Sequence, residues 1–226
     1  MNKIQKLLGI VMLLCTTIFV YGGNRSYIRE QIQLHNECRN VAITEYSGNL
    51  MLYGRNGWAG SGLPSGLSTA LNELNRDREY IDDVQITDGG SWLILYGNNG
   101  FRWSNIPYSL EQRIREWNSS NEVITSVTFN DAGDWIAVSQ NYISASSQWI
   151  QDWLAQGCDD FGQLWAVCVT NDAMVAVYQN GYKFYGNVPQ SLRDALDGET
   201  RDVYRLKISG TSWFYADSNG SYRYYM

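Results

Sequence analysis

The sequence has few of the residues that carry nucleophilic or metal chemistry. Its 226 residues include one histidine and four cysteines, and no C-x-x-C pair occurs. A Cys/His zinc site is therefore not expected. Any Ser/His/Asp or Cys/His nucleophile system would need His35, which falls on the apolar stripe of a predicted helix. The glycine-rich segment 57–66 lacks the lysine of a phosphate-binding loop. We expect no catalytic residue, cofactor or metal ligand.

Clustered positive charge is also missing. The chain has 17 Lys and Arg against 23 Asp and Glu, a net charge of −6, and no run of basic residues. Nucleic acids and anionic membrane surfaces both require clustered Lys and Arg. Neither is expected as a partner.

The only long apolar run lies at the start of the chain. Lys3 and Lys6 precede an apolar stretch at 7–20, and Gly22 and Gly23 follow it. This pattern predicts a signal peptide over 1–22 and a secreted or periplasmic mature chain over 23–226. The run is shorter than the roughly 18 residues of a membrane span, so none is expected in the mature chain. A lipoprotein anchored at Cys15 is the alternative, although Leu14 stands where a small residue is preferred.

Three cysteines follow this leader, and the sequence leaves their state open. Export would permit a disulfide between Cys158 and Cys168, with Cys38 left over. The alternative is three buried thiols that pack as small apolar side chains.

What the sequence does contain is a repeat of about 42 residues. Segment 84–96 matches segment 127–138, with Trp92 and Trp135 in register. Segments 41–53, 167–177 and 206–216 match the same pattern, and they carry Asn49, Met174 and Trp213 in the position of Trp92. Each copy has two apolar strands around a turn rich in Gly, Asp or Asn, which predicts a β-hairpin.

A third short strand and a helix are predicted after the hairpins. Asn-Gly at 56–57, 99–100, 180–181 and 219–220 is expected to supply a positive-φ turn. Pro64, Pro107 and Pro189 are placed in the first helical turn. Apolar residues spaced four and three apart then predict one buried stripe per helix. These are Leu67, Leu71 and Leu74; Leu110, Ile114 and Trp117; Leu192 and Leu196; and, without a proline, Trp149, Ile150, Trp153 and Leu154.

The two ends of the chain complement each other. The last hairpin has no helix after it, and a helix containing Ile28, Ile32 and His35 precedes the first hairpin. We therefore predict a single domain over 23–226, an α/β repeat (α+β) of five β-hairpin-plus-helix units. If the first helix completes the last unit, the units close into a propeller-like ring rather than an open solenoid.

The best-matched region, from Val84 to about Gly157, resembles two groups of repeats. One is found in uncharacterised exported bacterial proteins, and the other lies behind the kinase domain of plant casein-kinase-like proteins. A five-fold ring of this kind is similar in architecture to the pentein α/β-propeller. Catalytic penteins use Cys, His and acidic residues around a central channel, so the resemblance implies a member without that chemistry.

Aromatic residues after the Asn-Gly positions are the candidate ligand contacts. Repeats place equivalent side chains on one face, which is often the binding face. The candidates are Trp58, Phe101, Trp103, Tyr182, Tyr185 and Tyr222. The alternative is that these rings seal each hairpin against the next unit. The sequence thus favours a non-enzymatic binding module for an unknown protein, peptide or glycan.

Pairs of acidic residues carry the remaining alternatives. Asp82 with Asp83, Asp131 with Asp134, or Asp159 with Asp160 could serve a carboxylate-based hydrolase acting on polysaccharide, and Asp131 and Asp134 are the pair we single out. The turn from Asn130 to Asp134 could also bind calcium, but it is much shorter than an EF-hand loop. Aspartate is common in turns for structural reasons, and this is the reading we favour.

Overall fold

The computed structural model of this protein describes residues 25–226. The predicted signal peptide over 1–22 and the lipidation candidate Cys15 lie outside these residues. No helix in the described part is both long enough and apolar enough to cross a membrane.

The described chain forms an α+β repeat of five three-stranded antiparallel sheets and five helices. The helices are α1 (Arg25–His35), α2 (Leu67–Arg76), α3 (Tyr108–Ser119), α4 (Gln148–Phe161) and α5 (Gln190–Asp197). Sheet 1 contains β1 (Asn40–Ala42), β2 (Asn49–Tyr53) and β3 (Gly57–Ser61), and sheet 2 contains β4 (Ile81–Ile86), β5 (Trp92–Tyr96) and β6 (Gly100–Ser104). Sheet 3 contains β7 (Ile124–Phe129), β8 (Trp135–Ser139) and β9 (Ile143–Ala145). Sheet 4 contains β10 (Leu164–Val169), β11 (Ala173–Tyr178) and β12 (Gly181–Gly186), and sheet 5 contains β13 (Arg205–Ser209), β14 (Ser212–Ala216) and β15 (Tyr222–Tyr225).

Each helix packs between one sheet and the next. In α2, Leu67, Leu71 and Leu74 are buried in one core cluster with residues from sheets 1 and 2. The period of the helix puts these three leucines on one face, as the spacing predicted. In the same way, Ile28 and Ile32 of α1 share a cluster with sheet 1 and with Phe214 and Ala216 of sheet 5. The first helix therefore packs against the last sheet.

The first strands of the sheets also contact one another in series. β1 contacts β4, β4 contacts β7, β7 contacts β10, β10 contacts β13, and β13 contacts β1. Charged side chains join sheets 2 and 5 across this assembly. The Lys207 Nζ lies 2.7 Å from Asp83 Oδ1 with both side chains buried, and the Arg205 guanidinium lies 2.7 Å from Asp82 Oδ1. Asn40 donates to the same Asp83 oxygen at 2.8 Å, which satisfies the buried carboxylate further.

Two expectations about local structure need correction. Of the four Asn-Gly pairs, only the last supplies a positive φ, at Gly220; in the first two copies the positive φ is at Gly54 and Gly97, at the start of the turn. Gly57 is required for another reason, because a Cβ there would lie 2.6 Å from the Tyr53 ring. The prolines also lie outside the helices: Pro107 and Pro189 are N-cap residues, and Pro64 precedes the Gly66 N-cap of α2.

Candidate functional site

The turns between the first two strands of every sheet meet at one cleft of about 240 Å³, which we call the turn cleft. Its lining comes from segments 43–46, 85–88, 129–131, 169–172 and 208–210. Polar side chains dominate this lining because turns favour Thr, Asn and Asp. The cleft is the place where all five units contribute equivalent residues.

The polar residues of the turn cleft bond to neighbouring turns. Asp88 Oδ1 accepts from the backbone N–H groups of Glu45 and Tyr46 at 2.7 Å, and Asp131 Oδ2 accepts from Gly89 N–H at 2.9 Å. The Asn171 side-chain oxygen accepts from Asp131 N–H at 3.1 Å. Each of these side chains thus reaches back to the turn of the preceding unit. The acceptors satisfy backbone donors and hold the turns in register.

The two acidic residues proposed for hydrolysis or calcium binding take part in this bracing. Asp131 bonds to the preceding turn, and Asp134 Oδ2 accepts from the Asn130 amide at 3.2 Å within its own turn. Asp134 N–H in turn donates to the Asn130 side-chain oxygen at 2.8 Å. These contacts give both carboxylates a structural role. Across residues 25–226, no three His, Cys, Asp or Glu side chains are grouped so as to hold a metal ion.

A second feature recurs at the outer side of the turns, where a helix start meets the next sheet. From here on, a unit means a sheet together with the helix that precedes it along the chain. In three units a tryptophan of the second strand fills this position and donates its indole N–H to the start of that helix. Trp92 donates to Ser65 O at 3.2 Å, Trp135 to Ser109 Oγ at 2.8 Å, and Trp213 to Ser191 Oγ at 3.0 Å. We call this arrangement the Trp notch. All three tryptophans are buried, so each notch is filled and its polar atom is satisfied.

The fourth unit reverses this arrangement. Met174 occupies the position of the notch tryptophan, and Trp149 stands directly before the first buried residue of α4, where α3 and α5 have Ser109 and Ser191. The partner of Met174 on the third strand is Tyr185, whereas the partner of Trp92 is Ser104. The large ring has thus moved from the strand to the helix. Trp149 and Tyr185 are 49% and 52% exposed.

Trp149 and Tyr185 form one wall of a cleft of about 440 Å³, which we call the aromatic cleft. Their ring centroids lie 4.9 Å apart with an interplanar angle of 67°, an edge-to-face contact. The lining also contains the polar residues Asp134, Asn171 and Asp172, which we call the polar wall. None of the residues lining the cleft is Lys or Arg.

The local backbone fixes both walls. Ser147 caps α4 by accepting from Ile150 N–H, which sets the first helical turn and so the position of Trp149. Gly186 ends β12 with φ of +72°, and a Cβ there would overlap the carbonyl oxygen of Asp172. Asp172 accepts from Thr170 Oγ1 at 3.0 Å and from the Asn187 amide at 3.2 Å. Its carboxylate is therefore oriented before any ligand arrives.

The other predicted aromatic residues are half-buried and are spread over four of the five sheets. Trp58, Phe101, Trp103, Tyr182 and Tyr222 each pack against a core cluster. The structure brings Phe101 and Trp103 together as a stack at 5.0 Å, and the Tyr182 hydroxyl donates to Asp197 at 2.5 Å. Tyr185 points to the other face of its strand, since strand residues alternate. Of the six candidates, it alone is more than half exposed.

Sequence reasoning missed Trp149. The helix stripe was expected to bury Trp149 and Trp153 together with Ile150 and Leu154, but only Ile150 and Leu154 are buried. A doubled Trp-Ile and Trp-Leu pattern permits two helical faces, and the periodicity does not choose between them. One signal in the sequence could have indicated it. The unit that has Met174 in the tryptophan position also has an extra tryptophan, Trp149, in its helix.

The cysteines of the described chain and His35 do not form a nucleophilic site together. The three cysteines of the described chain are free thiols, so the Cys158–Cys168 disulfide does not form. Burial raises the pKa of Cys38 and of Cys168, which keeps both thiols protonated. His35 instead stacks on the Tyr53 ring, with centroids 3.7 Å apart.

No protein-family model matches the chain, and no curated protein matches it.

Proposed function

We propose that the protein is an exported, non-enzymatic binding module that holds a protein, peptide or glycan ligand in the aromatic cleft. One observation carries this proposal. In the fourth unit the notch holds Met174 instead of a tryptophan, and two exposed rings, Trp149 and Tyr185, lie beside a polar wall. In the three equivalent positions at Trp92, Trp135 and Trp213, the rings are buried and their indole N–H groups are hydrogen-bonded. Exposed, partly preorganised aromatic rings are characteristic of recognition sites.

The units are further proposed to close into a propeller-like ring. The contact between β13 and β1 and the packing of α1 against sheet 5 support closure. Arg25 supports it as well, because its guanidinium donates to Thr44 O at 2.8 Å and to Ser209 Oγ and Ser212 Oγ at 2.9 and 2.7 Å. A closed ring would fix the aromatic cleft on a rigid scaffold.

A double-mutant cycle between Arg25 and Ser212 tests closure. Arg25→Ala, Ser212→Ala and the double variant are compared by urea denaturation. Closure predicts a coupling free energy of about 1.5–3 kcal/mol, the usual range for a hydrogen bond to a charged group. A coupling near zero would support an open arrangement.

The binding function is tested with the mature chain against panels of immobilised peptides, proteins and glycans. At least one ligand is expected to bind, and Trp149→Ala with Tyr185→Ala should remove that binding while circular dichroism stays unchanged. Three further substitutions serve as comparisons: Trp58→Ala, Trp103→Ala and Tyr182→Ala. These rings pack against core clusters, so their removal should lower the free energy of unfolding rather than affect ligand binding directly. If these three substitutions remove binding without loss of structure, the ligand instead binds along the third strands of the sheets, where the three residues lie.

Export is tested separately by following the full-length chain in cell fractions. Secretion or periplasmic location with loss of about 22 residues from the N-terminus is the expected result. A full-length chain retained in the cytoplasm would contradict it.

A further inference from the structure

We infer that the ligand of the aromatic cleft is a neutral saccharide. This inference rests on the proposed binding function and adds the chemical class of the ligand. It comes from the pairing of exposed ring faces with oriented oxygen acceptors in a cleft without basic residues.

The aromatic wall of the cleft suits a sugar ring in both charge and shape. The face of an aromatic ring carries partial negative charge and its edge partial positive charge. One face of a pyranose ring presents several C–H groups with partial positive charge, so it complements the face of an indole or phenol ring. Trp149 and Tyr185 meet at 67°, which gives the cleft two ring surfaces set at an angle. A sugar residue can stack on one of them and contact the other along its side.

The polar wall supplies the groups that hydroxyls need. Asp134, Asn171 and Asp172 line the cleft together with the rings. An ionised carboxylate has about four acceptor positions. Asp172 receives two hydrogen bonds from Thr170 and Asn187, which orient it and leave further positions for hydroxyl donors. A stacking face together with hydroxyl acceptors suits a polyol ring.

The charge of the cleft excludes anionic ligands. Two carboxylates and no basic side chain belong to its lining, and the whole chain carries a net charge of −6. A uronic acid, a sulfated sugar or an acidic peptide would meet like charge without a compensating partner. The ligand is therefore uncharged at the contact.

A cationic side chain is the competing ligand for this site. Recognition by an aromatic cage encloses the cation between ring faces within about 6 Å of their centroids. Here the two rings touch edge to face at 4.9 Å, so they form no cage that could enclose an ammonium group between them. A cation over a single ring face is the outcome that the oligolysine probe below tests. The cleft volume of about 440 Å³ lies in the usual range for small-molecule sites, roughly 300–1,000 Å³, and accommodates roughly one or two sugar residues.

The experiment uses the mature chain and an array of neutral oligosaccharides built from glucose, galactose, mannose, xylose and N-acetylglucosamine. Polygalacturonate and an oligolysine peptide are included as anionic and cationic probes. Any neutral oligosaccharide that binds is then titrated by calorimetry. Trp149→Ala and Tyr185→Ala should each lower affinity by about 30-fold or more, as expected for aromatic contacts that dominate a site. Trp149→Phe should have a smaller effect because it keeps a stacking face.

Tyr108 provides the matched control. It is an exposed tyrosine on α3 at 74% exposure and does not line the cleft. Tyr108→Ala should leave the affinity for the oligosaccharide unchanged. Asp172→Asn keeps the shape of the polar wall and should weaken binding without changing the fold.

The outcomes separate this inference from the proposed function. Oligolysine binding that depends on Trp149, with no neutral oligosaccharide bound, would overturn the saccharide inference and leave the binding function standing. Neutral oligosaccharide binding that survives both Trp149→Ala and Tyr185→Ala would overturn the assignment to this cleft. If none of these probes binds, the saccharide inference is wrong, and the peptide and protein panels alone decide the proposed function.

Discussion

The third and fourth units place the same kinds of residue in opposite ways. In the third unit Trp135 is 4% exposed and donates to Ser109, while in the fourth unit Met174 is buried and Trp149 is 49% exposed. At the notch, both units pair one large aromatic ring with one small or flexible side chain, and one of the two lies at a helix start. The difference teaches that either a tryptophan or a methionine can fill the notch, and that the fourth unit fills it with Met174 and leaves Trp149 exposed.

The first way to test this comparison is to remove the ring from the filled notch. Trp135→Ala should reduce the free energy of unfolding by about 3–5 kcal/mol, because it leaves a cavity in the core cluster between sheets 2 and 3. Urea denaturation followed by circular dichroism measures the change. A loss below about 1 kcal/mol would mean that the notch does not stabilise the unit.

The second test removes the hydrogen bond and keeps the ring. Ser109→Ala leaves the buried Trp135 indole N–H without its acceptor and should cost about 1–3 kcal/mol. The double variant Ser109→Ala with Trp135→Phe has no such unsatisfied donor. It should show clear non-additivity in the same denaturation experiment, and strict additivity would argue against the bond.

The third test concerns the notch of the fifth unit, which is linked to a titrating group. Trp213 stacks on Tyr215, and the Tyr215 hydroxyl donates to Glu199. Hydrogen bonds from Arg201 and Tyr215 lower the pKa of Glu199 to about 2. Because this pKa is depressed in the folded state, the stabilisation is present above about pH 4.5 and is lost as the pH falls towards 2.

Glu199→Gln should therefore flatten the acid limb of the stability curve. Between neutral and acid pH, wild type should lose about 1–2 kcal/mol more of its free energy of unfolding than the variant. This figure allows for the solvent exposure of Arg201. Thermal unfolding measured between pH 6 and pH 2.5 gives the comparison. Parallel curves for the two proteins over this range would contradict the link.

The smallest expected effect is that of removing the exposed ring. Trp149→Ala should change the free energy of unfolding by less than about 1 kcal/mol, since about half of the side chain is already in water. Its contrast with Trp135→Ala is the quantitative form of the comparison. A loss of several kcal/mol would make Trp149 a packing residue like the others.

Much of the fold follows from periodicity, whereas the candidate site depends on an exception to it. The register of Trp92 and Trp135, the hairpins and the leucine stripe of α2 all reflect repeated burial, so the sequence pattern was sufficient for them. The ion pair of Lys207 with Asp83 joins residues more than a hundred positions apart, and no local pattern indicates it. Recognition of the site required the helical phase of Trp149, which only the packed structure fixes.

The most direct test of the account is to rebuild the fourth unit in the pattern of the third. Trp149→Ser combined with Met174→Trp keeps the number of tryptophans in the unit constant but moves one of them from the helix to the strand, opposite a serine on the helix. Calorimetric titration with a neutral oligosaccharide that binds the wild type is the measurement. The account predicts an unchanged circular dichroism spectrum and loss of binding, and an unchanged affinity in the folded double variant would contradict it.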